Sequence, residues 1–256
     1  MARVPRLLVE ETLAAGAEIT LDEAQALHVG TVLRLGAGDI LRVFNAANGE
    51  WGARINARSK RGMSVRVEGL VRSPRCVPDL DLLFAPVKRH ATDLIVEKAT
   101  ELGVRRIRPI ITQRTIAETV RLDRLRSIAR EAAEQTERFD APEIFGPVTL
   151  VSALEGWDGS RALIYCDEHG DAPPMLGALQ VVRPHAPEAA GAVTGRSPQP
   201  LALLIGPEGG FTGEERAMLR AHEFVTPVSL GPRVLRAETA AISALSLIQA
   251  RWGDWR

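Results

Sequence analysis

The sequence predicts an α/β protein in which a small β-rich domain precedes a mainly parallel sheet covered by helices. Three observations predict it. Short, partly alternating segments separated by Gly and Asn turns fill residues 1–72; strands and helices alternate from about residue 80 onward; and a stretch with two prolines, residues 72–79 (RSPRCVPD), parts the two patterns. A chain of 256 residues accommodates two domains and buries a sizeable core.

In the first part, Asp39 to Phe44 (DILRVF), Trp51 to Ile55 (WGARI) and Met63 to Gly69 (MSVRVEG) read as strands, bounded by Gly38, Asn48-Gly49 and Arg61-Gly62. Strands at this spacing suggest a small barrel or sandwich, interrupted by one helix from Asp22 to Val29. In the second part, Asp81 to Pro86, Val104 to Ile111, Ala162 to Asp167, Leu201 to Ile205 and Val225 to Leu230 read as strands. Thr92 to Leu102, Leu122 to Arg138, Glu215 to Ala221 and Glu238 to Arg251 read as helices. Gly103 stands where a helix C-terminal cap belongs, and Leu122, Leu125, Ile128, Ala129 and Ala132 share one face. Residues 183–200, rich in Pro, Gly and Ala and without a period, read as a surface loop or insert.

Bulk composition excludes more than it selects. Net charge is zero, with 32 basic and 32 acidic residues, split mildly between a basic first part and an acidic remainder. Lys60, Lys88 and Lys98 are the only lysines, a bias that genome composition produces without functional meaning, so each arginine has to be argued singly. Cys76 and Cys166 are isolated and fit neither a zinc site nor a disulfide framework. The five histidines, His28, His90, His169, His185 and His222, are scattered and read as structural or surface groups, so no metal is expected. Without a secretory signal or an apolar stretch of membrane-spanning length, the expected location is cytoplasmic.

Three segments carry chemistry. Leu203 to Glu215 (LLIGPEGGFTGEE) runs from an apolar strand into a glycine-rich turn and then a helix, with Thr212 and Glu215 at capping-box spacing. Such a turn at the carboxyl end of a parallel strand is where α/β folds bind ligands, and glycines admit a ligand close to the backbone. It lacks the endings of phosphate and dinucleotide loops. Leu230 to Ala241 (LGPRVLRAETAA) repeats the strand–Gly–loop–helix order about 25 residues later, placing two loops over one pocket. Third, Glu131, Gln135 and Arg138, with Glu134 beside them, fall on one side of a predicted helix, a pattern that a merely solvated face also produces.

Together these segments resemble the bacterial uridine N3-methyltransferases of small-subunit (16S) ribosomal RNA, within the knotted SPOUT superfamily. The resemblance is carried in order by HVGTVLRLGAGD (His28–Asp39), KATELGVRRIRPI (Lys98–Ile110), TQR (Thr112–Arg114), EAAEQTER (Glu131–Arg138), LLIGPEGGFTGEE and LGPRVLRAETAAISAL (Leu230–Leu245). It implies a PUA-like β-barrel RNA-binding domain over residues 1–73 and a trefoil-knotted α/β methyltransferase domain over residues 74–256, with helices on both faces of a parallel sheet. The implied cofactor is S-adenosylmethionine, held by Leu204, Ile205, Gly206, Pro207, Glu208, Gly209 and Gly210, and by Leu230, Gly231, Leu235, Arg236, Thr239 and Ala240. The implied partners are 16S rRNA of the small ribosomal subunit and a second copy of the chain. The 183–200 stretch is longer and richer in Pro and Ala than that family leads one to expect.

Uracil N3 becomes nucleophilic only as its proton leaves and charge spreads to both carbonyl oxygens, so transfer to it needs a base or a cationic environment. Arg236, Arg138 and Arg114 are the candidates for the cation, Arg236 first because it adjoins the cofactor loop. Glu134 and Glu238 are the candidates for the base, Glu238 having helix capping as its other use. Two other readings stay open: a SPOUT methyltransferase acting on a tRNA base or a ribose 2′-hydroxyl, and a non-catalytic RNA-binding assembly factor.

Overall fold

The computed structural model describes residues 4–59, 62–116, 119–169, 171–181 and 200–255. The expected 183–200 insert lies, Pro200 apart, outside the described residues. The chain divides into two compact units: Met1–Cys76 with Ala133–Asp140, and Val77–Ala132 with Ala141–Arg256.

The first unit is a five-stranded sheet. Its elements are β1 (Arg6–Leu8), β2 (Glu18–Thr20), a short helix α1 (Glu23–Leu27) running into a π-turn (His28–Val32), β3 (Ile40–Asn45), β4 (Gly49–Ser59) and β5 (Gly62–Arg72). The strand order is β1-β3-β4-β5-β2, antiparallel except for the β1–β3 pair. Asp22 caps α1 through a reciprocal box with Gln25, so the expected helix start is where the structure has it. The predicted Asn48-Gly49 turn has a mechanism. Asn45 Oδ1 accepts the Asn48 N–H at 2.7 Å, and Gly49 takes φ +83°, where a Cβ would run into the Arg72 carbonyl. Alternate residues of the strands, among them Leu41, Val43, Ala53, Ile55, Met63, Val65 and Val67, point into one buried core.

This unit also buries a carboxylate. Glu50 is fully buried and receives three arginines: Arg6 Nε at 3.1 Å, Arg42 Nη1 at 3.3 Å and Arg72 Nε at 2.6 Å. Arg6 is itself buried over the Phe44 ring, and spends its remaining donors on the carbonyls of Ala133, Glu134 and Arg138 at 2.9–3.2 Å. Burial pushes the Glu50 carboxyl up, but the hydrogen bonds and charges of Arg72, Arg6 and Arg42 outweigh it and hold the group below its ordinary value.

The second unit contains β6 (Leu80–Phe84), α2 (Arg89–Glu101), β7 (Arg106–Ile111), α3 (Leu122–Gln135, its residues from Ala133 on belonging to the first unit), β8 (Glu143–Ile144), β9 (Val148–Thr149) and α4 (Leu150–Glu155). It continues with β10 (Ala162–Cys166), α5 (Met175–Val181), β11 (Leu201–Ile205), α6 (Gly213–Arg220), β12 (Val225–Val228) and α7 (Ala237–Trp252). All strands are parallel, in the order β12-β10-β11-β6-β7-β8, with β9 also beside β7. The apolar runs are explained by burial on both faces. Leu201, Leu203 and Ile205 turn to a core shared with α2, α3, α5 and α7, while Ala202 and Leu204 turn to one shared with α4 and α6. Pro227 is tolerated in β12 because that strand is an edge. The expected fold class, a mainly parallel sheet with helices on both faces preceded by a small β domain, is the one observed. No helix among the described residues is long and apolar enough to cross a membrane.

One expected element is corrected. The helix predicted to reach Arg138 ends at Gln135, because Glu137 adopts φ +65° and turns the chain. Arg138 therefore does not share a helix face with Glu131 and Gln135: those two are exposed, whereas Arg138 is buried and its guanidinium is spent on Asp140.

Glu50→Gln keeps the shape but leaves three arginines around a neutral group, so it is expected to cost about 3–5 kcal/mol in urea unfolding. Because the folded carboxyl titrates below its unfolded value, this stabilisation is complete above the ordinary carboxylate range and is lost as pH falls through the folded pKa. The variant should accordingly show a flatter loss of stability on the acid side than the parent protein.

Candidate active site

β10 lies between β11 and β12 in parallel register, with Ile164 opposite Leu203 and Cys166 opposite Val228. The segments that follow the three strands therefore leave the same edge of the sheet. They are residues 206–212 after β11, 229–236 after β12 and 167–169 after β10, and all three line one cavity of about 700 Å³. That is within the roughly 300–1,000 Å³ of small-molecule sites. The start of α2 supplies Lys88, His90, Ala91 and Leu94 to the wall, and the first turn of α7 supplies Ala237, Glu238 and Ala240.

The 206–210 loop is shaped by its glycines. A Cβ on Gly206 would press on the Phe211 ring at 2.9 Å, and Phe211 is buried edge-on against Tyr165. Gly210 has φ +66°, and its N–H closes a turn onto the Pro207 carbonyl at 2.9 Å. The predicted capping box is present: Thr212 Oγ1 accepts the Glu215 N–H at 3.2 Å and Glu215 Oε2 accepts the Thr212 N–H at 2.9 Å. The second oxygen of Glu215 accepts the Gln113 N–H at 2.8 Å, and Arg114 Nη1 donates to the Gly209 carbonyl at 2.8 Å. The short TQR segment thus braces the glycine loop from outside. Arg114 also lines a smaller neighbouring cavity of about 260 Å³, which shares Lys88, Pro207 and Glu208 with the larger one.

The 167–169 turn is braced from below. Asp167 is buried and accepts from Tyr165 O–H at 2.8 Å, Arg220 Nη2 at 2.8 Å and the His169 N–H at 3.2 Å. Burial alone would raise this carboxyl, but those donors hold it below the usual range, while burial pushes the Tyr165 hydroxyl up to about 12. Burial and the Glu168 carboxylate push the Cys166 thiol up to about 12, so it lines the wall as a neutral group. Donor atoms of Asp167, Glu168 and His169 fall within 4.8 Å of one another, although Asp167 is already engaged as described.

Of the residues singled out from the sequence, Ile205, Gly206, Pro207, Glu208, Gly210, Leu230, Gly231, Leu235, Arg236, Glu238 and Ala240 line the cavity. Leu204 lies in the core beneath it. Gly209 and Thr239 belong to the same two loop–helix segments without forming its wall. Arg236 is the N-terminal cap residue of α7, exposed at the cavity, and Glu238 sits in the first turn of that helix. Glu134 and Arg138 belong to the first unit, where Glu134 Oε1 accepts the Leu8 N–H at 3.0 Å. Sequence reasoning missed Lys88, His90, Asp167 and Glu168. The signal available for the last two was their place at the carboxyl end of a predicted parallel strand, Asp167 as its last residue and Glu168 just beyond it.

The chain matches a family model described as an RNA methyltransferase domain over residues 75–249, and one described as an RNA methyltransferase PUA domain over residues 21–68. It is 32% identical to the ribosomal RNA small subunit methyltransferase E of Rickettsia conorii, over 95% of this chain and 94% of that protein. It is 33% identical to the Synechocystis enzyme of the same name, over 96% of this chain and 77% of that one. The structure of a Legionella pneumophila putative methyltransferase in complex with S-adenosylmethionine superimposes with a TM-score of 0.84 at 32% identity, covering 99% of this chain and all of that one. A Neisseria gonorrhoeae ribosomal RNA small subunit methyltransferase E gives the same TM-score at 23% identity, with 99% of this chain and 100% of that chain covered, and shows the shared fold. With the family model spanning most of the chain and the two loops after β11 and β12 opening on one cavity, this chain belongs to the RNA methyltransferase family and is an RNA methyltransferase.

Proposed function

We propose that this enzyme transfers the methyl group of S-adenosylmethionine to N3 of a uridine in 16S ribosomal RNA of the small subunit. The observation that carries the reading is the cavity itself, built from two strand–Gly–loop–helix units at the ends of β11 and β12, with Arg236 exposed at its wall. The names of the curated relatives support the ribosomal substrate, and the solved Legionella pneumophila complex supports the cofactor. The residues fit the cofactor: the glycine loop brings backbone N–H and C=O groups to the wall, and the volume suits a nucleoside with an amino-acid tail. When bound, the cofactor supplies an electrophilic methyl group.

The chain's own residues supply the rest. Arg236 presents a permanently charged fork of donors to the carbonyl oxygens that gain charge as the N3 proton departs. Glu238, two residues on and in the same wall, accepts that proton, a role its position favours over Glu134, whose carboxylate is bonded to the Leu8 N–H. Arg114 serves by holding the Gly209 carbonyl and with it the loop. The N-terminal unit, taken as the PUA-like domain over residues 1–73, docks the RNA through phosphate contacts, and the enzyme acts as a cytoplasmic homodimer packed through the knotted domain.

Two outcomes are expected. Incubation with labelled S-adenosylmethionine and unmethylated small subunits, followed by digestion, should yield label in 3-methyluridine; label in a tRNA nucleoside or a 2′-O-methyl sugar would move the substrate. Arg236→Ala should lower kcat by roughly 10²–10³-fold with the protein still folded, and full turnover would remove Arg236 from the mechanism.

A further inference from the structure

We propose that Glu168 is a cofactor-recognising residue whose carboxylate accepts the vicinal hydroxyls of the ribose of S-adenosylmethionine. The inference rests on the cofactor reading above.

Glu168 stands at the end of β10, the strand flanked by the two that carry the glycine loops, and its side chain lines the same cavity. It packs so closely over Gly210 that a Cβ at that position would overlap Glu168 Oε1. The glycine therefore makes room for a carboxylate as well as for a ligand, and the two are placed together. The turn that presents Glu168 is held from below by the buried Asp167, bonded to Tyr165 and Arg220, with Arg220 anchored at the surface by Asp171 at 2.7 and 2.8 Å. His169 Nδ1 lies 3.2 Å from Glu168 Oε1 and restricts the carboxylate further. A partly exposed acid held in this way, at a nucleoside-sized cavity on the carboxyl edge of a parallel sheet, matches the general use of an acidic side chain to accept ribose hydroxyls. Two carboxylate oxygens pair with two adjacent O–H donors, whereas the amino-acid end of the cofactor carries its own carboxylate, which the cavity's Lys88, His90, Arg233 and Arg236 suit better.

The test is calorimetry on the 256-residue protein and on its Glu168→Gln variant. The probes are S-adenosylhomocysteine, 5′-methylthioadenosine (which lacks the amino-acid end) and the 2′-deoxy form of the latter. Glu168 is exposed, so the variant should fold, and an unchanged Tm verifies this. The variant should bind the first two probes about tenfold more weakly. Removing the 2′-hydroxyl should weaken binding to the parent protein by a similar factor and leave the variant indifferent. Unchanged affinity in the variant overturns the proposal. So does a loss for S-adenosylhomocysteine without one for methylthioadenosine, which would assign the carboxylate to the ammonium group. A parent protein that discriminates no 2′-hydroxyl also overturns it. Failure of the parent protein to bind any of the three would instead remove the cofactor reading on which the proposal stands.

Discussion

Parallel pairing of β10 with both β11 and β12 is the constraint on which the site depends. A parallel ladder makes neighbouring strands end on the same side, so whatever follows each strand is delivered to one edge of the sheet. Residues from positions 166, 206 and 229 onward, distant along the chain, meet there for this reason alone. The apolar cores on the two faces of the sheet keep that ladder in register, since a shift of one residue would exchange Leu203 for Ala202 and Leu204 between them.

Arginine is abundant in this chain, and the structure puts much of it to internal use. At the opposite ends of the parallel strands, Asp79 and the buried Asp81 gather Arg106, Arg108 and Arg161 at the starts of β6, β7 and β10. Glu50 gathers three more in the first unit. A buried carboxylate tolerates several partners better than one, because its lone pairs must all be satisfied once water is gone. The exposed Arg236 and Arg233 stand apart from those pairs at the wall of the cavity, where a ligand would meet them.

Most of the fold was legible in the sequence because long apolar segments with clear periods become β3 to β7, β10 to β12, α2, α3, α6 and α7. What was not legible has physical reasons. β1, β2, β8 and β9 are two or three residues long, too short for a period, and are recruited by pairing with longer neighbours. α4 and α5 are six and seven residues, and a tertiary contact decides such helices more than propensity does. The end of α3 was misjudged because nothing in Gln-Thr-Glu announces a left-handed residue at Glu137. At the site, the two glycine loops were readable because glycine and capping chemistry is local. Lys88, His90 and Glu168 were not, since the first two come from the start of α2 and the third from the end of β10, and only the topology brings these to the glycine loops. The five-residue α1 followed by a π-turn is a further case, where capping fixed the start and the chain itself gave no stop.

The membership of Ala133–Asp140 in the first unit bears on how that unit comes into being. Arg6, near the amino end, is buried partly by carbonyls that lie 127 to 132 positions later. During synthesis the strands of the small sheet emerge long before those carbonyls exist, so Arg6 must wait in water, or on Glu50 alone, until about half the chain has been made. Excising residues 1–73 as a free-standing module would make that delay permanent, leaving guanidinium donors without their acceptors. The amino-terminal unit is in this sense completed late, and its assembly is timed by the translation of the end of α3 and the residues that follow it.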